Sequence, residues 1–301
     1  MHFVYNMIMR YLSFHDYFMN KYGGKLLKIP IYSGLSCPHL MNGGCVFCGE
    51  EKGAFFKSVG TISEQKKLGL KHLGDKWKNV VKTYAFFQSY TNTYGDIDYL
   101  DRIYHETYKN FDGMIISTRP DSISDQVLDL LEYYNKKMDL WVEIGLESAS
   151  DRILQEMNRQ HNFSSVLDAD NRLRAKNIDV CYHVIFGWRY ETDEEFLKTM
   201  DFLYDRRVFG VKFHSLFIEK NTKLFDIYRD EDFPLFTKDD YTDRVCDAIS
   251  LLHKDTVVHR LTGDPNRNLL FEPKWTLDKL KVIGEINKKL KEKDIYQSCR
   301  R

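Results

Sequence analysis

The sequence predicts an α/β fold built on parallel strands. Two observations predict it. Six short apolar runs rich in β-branched and aromatic residues recur along the chain, and amphipathic stretches of helical period separate each from the next. Helix-start signatures stand near the front of several of those stretches. Repeated strand–helix units favour parallel pairing with right-handed crossovers. A closed eight-unit barrel, a doubly wound open sheet and a partial barrel of six units all satisfy this pattern.

The elements follow in order. LLKIPIY (26–32) is nearly continuous in apolar residues, as expected of a strand covered on both faces, and a helix over 63–73 follows it. VVKTYAFF (80–87) precedes a helix over 97–110, and GMIIS (113–117) precedes one over 123–137. LWVEIGL (140–146) leads to helices over 150–158 and 164–176, IDVCYHVIF (178–186) leads to 193–206, and VFGVKFHSLFI (208–218) is the sixth strand. Ser122 stands three residues before Asp125, Ser148 three before Asp151 and Thr192 three before Glu195. Such a hydroxyl accepts from an orphan first-turn N–H, and the acid suits the positive end of the helix dipole. Thr192 and Glu195 can complete a full capping box. Residues 220–301 break the rhythm: DEDFPLFTKDD reads as a loop, 238–254 and 275–293 as helices, and TVVHRLTG (256–263) as a candidate strand. The chain thus divides into an N-terminal segment (1–23), a strand–helix core (24–219) and a mainly helical C-terminal extension packed on it (220–301).

Composition narrows the function. The 301 residues are 43% hydrophobic, enough for a sizeable core without covalent staples. Lys and Arg number 44 and Asp and Glu 44, so bulk charge does not hold nucleic acid, although a local basic groove remains open. No stretch reaches the ~20 apolar residues of a membrane-spanning helix. The opening MHFVYNMIMRYLSFHDYF is interrupted by Arg10, His15 and Asp16, lacks a basic front and a small-residue cleavage site, and does not read as a signal peptide. Six Cys in so long a chain are no disulfide framework, which points to the reducing cytoplasm.

Three of those Cys fall in GLSCPHLMNGGCVFCGEE. Cys37, Cys45 and Cys48 give C-x7-C-x2-C directly after the first strand, where parallel α/β folds build their sites. Gly34, Gly43, Gly44 and Gly49 let the backbone wrap closely. Three thiolates suit zinc, with His39 as a fourth ligand, or an iron–sulfur cubane with one open iron. The first option makes a zinc-dependent nucleic-acid-binding module; the second makes an enzyme.

The Cys motif, with Phe47 just before the last Cys, resembles the radical S-adenosylmethionine (SAM) superfamily, whose commonest spacing is C-x3-C-x2-C. The longer first gap is that of the branch containing the catalytic subunit of Elongator. FQSYTNTY (87–94), ISTRPD (116–121), LWVEIGLES (140–148), NRQH (158–161), HVIFG (183–187), GVKFHSLF (210–217) and RLTGDPNRNLLFEPKW (260–275) are similar to the YtqA/YhcC family of that branch. Departures are the shorter cluster loop, Gly187-Trp188-Arg189-Tyr190-Glu191-Thr192 in place of Gly-Leu-Pro-Gly-Glu-Thr, and Glu147 where Gln is common.

The resemblance implies a partial (β/α)6 TIM-like barrel in which Cys37, Cys45 and Cys48 hold a [4Fe–4S] cluster and SAM is cleaved reductively to a 5′-deoxyadenosyl radical. Phe47 would face the adenine. Gln88, Ser89, Thr91 and Asn92, at the end of the second strand, would hold the SAM amino group. Ser117, Thr118 and Arg119 follow the third strand; Arg119, extended before Pro120, either aims into the barrel mouth or pairs with Asp121. Glu143, a carboxylate inside an apolar strand, needs ribose hydroxyls or a structural Arg or Lys. Arg159 would pair with the SAM carboxylate, and His183, His214 and Lys212 would face inward. Cys181, Cys246 and Cys299 read as inert thiols. The branch modifies the carbon-5 side chain of wobble uridine, so tRNA is the implied substrate, with a peptide or small molecule as the alternative. A reductant such as flavodoxin or ferredoxin is implied as well. A tRNA enzyme should show a basic approach to the mouth, drawing on Arg119, Lys212 and the Lys-rich last helix.

Overall fold

The computed structural model describes residues 9–49, 60–73 and 78–301. Residues 1–8 of the N-terminal segment, and Glu50 and Glu51 at the end of the Cys motif, lie outside the described residues. Seven strands form one parallel sheet that curls into a half-barrel. They are β1 (Lys25–Pro30), β2 (Val80–Phe87), β3 (Gly113–Thr118), β4 (Asp139–Glu147), β5 (Asp179–Phe186), β6 (Gly210–Ser215) and β8 (Val257–Arg260), in that spatial order. The short strands β7 (Ile218–Glu219) and β9 (Leu270–Glu272) pair antiparallel beside it. All six predicted strands are present. The seventh, the candidate at 256–263, joins β6, so the C-terminal region completes the sheet as well as adding helices.

Strand alternation sorts the side chains. On β4, Leu140, Val142, Ile144 and Leu146 join the layer under the helices. Trp141, Glu143 and Gly145, between them, turn to the other face, the barrel lumen. The same alternation puts Val180, Tyr182, Val184 and Phe186 of β5 outside and Cys181 inside. Each fully buried Val, Leu, Ile or Phe of the outer layer contributes about 1.5–3 kcal/mol. That layer is closed by α2 (Ile62–Leu73), α3 (Ile97–Asn110), α4 (Asp125–Asn135), α6 (Phe163–Ala175) and α7 (Asp193–Asp205), while α5 (Asp151–Glu156) places Ile153 in a separate cluster with Val46 and Trp188.

Two caps fall two residues later than expected. Pro120–Ser122 forms its own 3-10 turn, so Ser124, not Ser122, caps α4 by accepting from Val127 N–H (3.3 Å). Ser148 Oγ accepts from Ser150 N–H (3.1 Å), and Ser150 caps α5. Thr192 and Glu195 do form the full capping box.

The N-terminal part adds an unforeseen helix, α1 (Phe14–Tyr22). Ser13 Oγ accepts from Asp16 N–H (3.2 Å) at its start, and Gly23 ends it at φ 70°. It lies across the seam between β1 and β8, where Val258 N–H donates to Leu12 O (2.8 Å). Phe18 stacks on Trp141 (5.8 Å between centroids), plugging the bottom of the lumen. The C-terminal region adds α8 (Lys223–Glu231), α9 (Lys238–Leu251) and α10 (Lys279–Glu292). Among the described residues no helix is long and apolar enough to cross a membrane.

Candidate functional site

The Cys loop leaves the top of β1. Cys37 is the N-cap of a 3-10 turn, Pro38–Asn42, which Gly43 and Gly44 close at φ 87° and 69°. Two successive left-handed residues are why glycine stands at both positions. Cys45 is buried, Cys37 and Cys48 half-buried, and Cys48 N–H donates to Cys45 O (3.0 Å). Phe47 is half-buried against the apolar group around Trp188 and Leu216.

Two distant segments clamp this loop. From one side, Asn158 Nδ2 donates to Gly44 O (2.7 Å), His39 Nε2 to Asn158 O (2.6 Å) and Val46 N–H to Met157 O (3.1 Å). From the other, Leu224 N–H donates to Val46 O (2.8 Å). A Cβ on Gly43 would stand 2.4 Å from Lys223 Nζ, and one on Gly49 would stand 2.8 Å from Asn221 Nδ2. His39, the candidate fourth zinc ligand, is therefore tied to the Asn158 carbonyl.

Arg159 reaches the cysteines directly. Its Nη1 donates to Cys45 Sγ (3.4 Å) and its Nη2 to Gly145 O (2.7 Å), with Glu147 Oε1 at 3.7 Å. The hydrogen bond with Cys48, joined by the Arg159 guanidinium, pulls the Cys45 thiol down to about 4 against the opposing effect of burial. Arg119 braces this arrangement. Its Nη2 donates to Arg159 O (2.7 Å), and it forks onto Asp121 at 2.8 and 2.7 Å. The Asp121 pair is thus present, but the guanidinium is buried rather than at the surface.

The ends of β2 and β3 are knitted together. Asn92 Nδ2 donates to Phe87 O, Ser89 O and Ser117 O (2.9–3.1 Å), and its Oδ1 accepts from Ser33 Oγ (2.6 Å). Thr118 Oγ1 hydrogen-bonds Thr93 Oγ1 (2.5 Å). The side-chain polar atoms of Asn92 thus hydrogen-bond within the protein. Ser89 and Thr91 are buried beside it, and Gln88 is exposed.

Below lies a polar floor. Glu143 accepts from Lys212 Nζ, from His183 Nε2 (2.9 Å) and from Ser117 Oγ (3.2 Å). Of the two partners the sequence left open for Glu143, the structural Lys is present as Lys212. Burial alone would raise the Glu143 carboxyl; the Lys212 ammonium and the His183 ring outweigh it and hold it well below the usual range. Burial, then the nearby Lys212 charge, pushes Lys28 down to about 7 and His183 to about 4. Lys28 sits over the Phe14 ring at 3.9 Å. Among the described residues neither Lys28 nor Arg260, which faces the same group, has an acidic partner within ion-pair distance. His183 and His214 lie ring to ring at 5.3 Å. Burial raises the Cys181 and Cys246 thiols, which keeps both protonated. Among the described residues Glu143, Cys181 and His259 bring donor atoms within 4.8 Å of one another, but the Lys212 ammonium already neutralises that carboxylate.

Of the residues named for a basic approach to the mouth, Lys291 of the last helix is exposed and, among the described residues, has no acidic partner within ion-pair distance. Arg119 and Lys212 are buried. Lys279, Lys281, Lys288, Lys289 and Lys293 of the last helix and its cap each pair with an acid. Sequence reasoning missed Asn158, Asn221 and Lys223. Asn158, at φ 53°, carried one signal, since Asn is among the few residues that take the left-handed region readily.

The radical SAM superfamily profile matches residues 39–203, and the Radical SAM C-terminal domain matches residues 208–292. The chain is 32% identical over 296 residues to the uncharacterized protein YtqA of Bacillus subtilis, covering 96% of this chain and 92% of YtqA. It is 29% identical over 287 residues to YhcC of Escherichia coli K12, covering 93% and 92%. Its fold is similar to that of Elp3 of the archaeon Methanocaldococcus infernus, with a TM-score of 0.70 at 15% identity. That likeness covers 91% of this chain and spans 64% of the Elp3 chain.

Proposed function

The chain belongs to the radical SAM superfamily and, within it, to the family of YtqA and YhcC; from that premise we propose that it modifies tRNA at the carbon-5 side chain of a wobble uridine. It is a radical SAM enzyme, and its cofactors are a [4Fe–4S] cluster and SAM. When held by Cys37, Cys45 and Cys48, the reduced cluster would supply the one electron that breaks a carbon–sulfur bond of SAM, and the adenosyl fragment so released would serve to take hydrogen from the substrate.

The observation that carries the site assignment is Cys45, a buried thiol held toward thiolate on a glycine-shaped strand-end loop beside a guanidinium. Cys37, Cys45 and Cys48 would hold the cluster, since three soft anionic ligands leave one iron open. The loop's double clamp keeps water from the buried ligand. Phe47 would lie against the adenine, and Gln88, Ser89 and Thr91 would meet the SAM amino group. We assign Asn92 and Thr118 to holding the strand ends that carry them. Among the described residues, Arg119 Nη1 and Arg159 Nε are buried donors with no hydrogen-bond partner, and they suit a carboxylate. Glu143 would fix Lys212 and His183 beneath the reacting centre. Among the described residues the floor's cations, Lys28, Lys212 and Arg260, outnumber the Glu143 carboxylate, and they suit an anionic substrate group. The reductant would be a flavodoxin or ferredoxin, and the compartment the cytoplasm.

Support for tRNA comes from the Elongator-like sequence pattern. The test is anaerobic reconstitution with iron and sulfide, reduction, and assay of 5′-deoxyadenosine, with hypomodified tRNA as substrate and Cys45→Ala as control. Wild type should form product, and Cys45→Ala should load no intact cluster and form none. A wild type that forms 5′-deoxyadenosine but alters no nucleoside mass in any tRNA rules out the tRNA reading and favours a peptide or small molecule.

A further inference from the structure

Glu147 and Arg159 meet beside Cys45 in a space that only glycine leaves open. A Cβ on Gly145 would stand 2.5 Å from Glu147 Oε1 and 2.8 Å from Arg159 Nη2. Glu147 sits at a bulge of β4 with φ 59°, and Arg159 lies between Asn158 and Gln160, at φ 53° and 56°. Glu and Gln hold such conformations less readily than Asn, and the surroundings fix them there. Both side chains are buried, at 10% and 7% exposure, and their closest atoms are 3.7 Å apart. The same guanidinium donates to Cys45 Sγ at 3.4 Å. Carboxylate, guanidinium and ligating sulfur therefore form one short line of charges, shielded from solvent.

We propose that the Glu147–Arg159 pair sets the reduction potential of the cluster bound at Cys45, with Arg159 raising it and Glu147 drawing it back down. The inference rests on the cluster assignment made above. One-electron reduction adds a negative charge to the cluster, and a charged donor on a ligating sulfur stabilises that charge. In a buried site the effect is weakly screened. Glu147 acts as a positioning residue: it touches the guanidinium, not the sulfur, and offsets its positive charge. The pair poises the cluster between two demands, since a lower potential drives the electron into the sulfonium but is harder to fill from the reductant.

The test is a redox titration of the reconstituted full-length protein without SAM, read from the electron paramagnetic resonance signal of the reduced cluster. Glu147→Gln should raise the midpoint and Arg159→Met should lower it, each by about tenfold in the reduction equilibrium, or about 59 mV for one electron. Arg159→Lys, which keeps the charge, should fall between wild type and Arg159→Met. A purely structural role predicts no such opposed shifts. If Arg159→Met does not retain iron, Glu147→Gln and Arg159→Lys carry the same sign test. An unshifted Glu147→Gln midpoint, or shifts of one sign in both substitutions, overturns the pair's role while leaving the cluster assignment intact. A wild type that binds zinc and assembles no reducible cluster overturns the premise and the inference together.

Discussion

Lys28 shows how one residue trades stability for a charge in the lumen. Its ammonium lies against aromatic faces, and burial with the Lys212 charge outweighs the Glu143 carboxylate and brings it down to about 7 from its ordinary 10.5. A base whose folded value is depressed opposes folding most strongly below that value, where both states are protonated. The penalty fades as pH rises toward the unfolded value. Lys28→Met should therefore raise the melting temperature, by about 1–4 kcal/mol in stability at pH 7 and below, with the gain shrinking between pH 7 and 10. Thermal melts across that range check it; a gain that grows with pH refutes it. Asn158 is the opposite case. Asn158→Ala removes the bond to Gly44 O and a residue suited to φ 53°, and should cost about 1–3 kcal/mol. Iron retention after reconstitution should fall with it, measured as iron per chain against wild type.

Among the elements, α1 and α8 matter beyond their size. Helix α1 covers the seam that the open sheet leaves between β1 and β8, and Phe18, at 2% exposure, fills the lumen floor under Trp141. Phe18→Ala should cost about 3–5 kcal/mol, seen as a lower denaturant midpoint. An exposed α1 residue such as His15 changed to Ala serves as the neutral comparison. Helix α8 contributes through its first turn, where Leu224 N–H holds the Cys loop at Val46. Both carry helix signals that the sequence reading passed over: α1 has Ser13 and Gly23 at its ends, with Asp16 in its first turn and Lys21 in its last, and α8 sets Leu224, Phe225, Ile227 and Tyr228 at helical spacing behind the Thr222 cap.

At the scale of the whole molecule, the C-terminal region is part of the site. It supplies β8 to the sheet, α8 to the Cys loop and His259 and Arg260 to the lumen. A chain ending at residue 219 should therefore fail to assemble a cluster and should expose the β6 edge; iron analysis and size-exclusion chromatography measure both. Charge at this scale is balanced and largely paired, including the last helix. Lys288→Glu should accordingly leave the salt dependence of tRNA binding unchanged, since that slope counts only the charges that touch phosphate.

What the sequence determined by itself is the chemistry that neighbours along the chain decide. The six strands follow from period-two and continuous apolar runs, the Thr192–Glu195 box from a spacing of three, and the Cys loop from three thiols and four glycines within sixteen residues. Even there, Ser124 and Ser150 replaced Ser122 and Ser148 as caps because a 3-10 turn and a serine turn each shifted the helix start by one local hydrogen bond. Tertiary structure alone decided which partners those residues meet. Arg159 finds Cys45 across 114 residues and Lys212 finds Glu143 across 69. Asn92 closes on the backbone of two strand ends and on Ser33. A buried charge or amide must be satisfied, but many partners can satisfy it, and only the closing of the barrel brings one of them within reach.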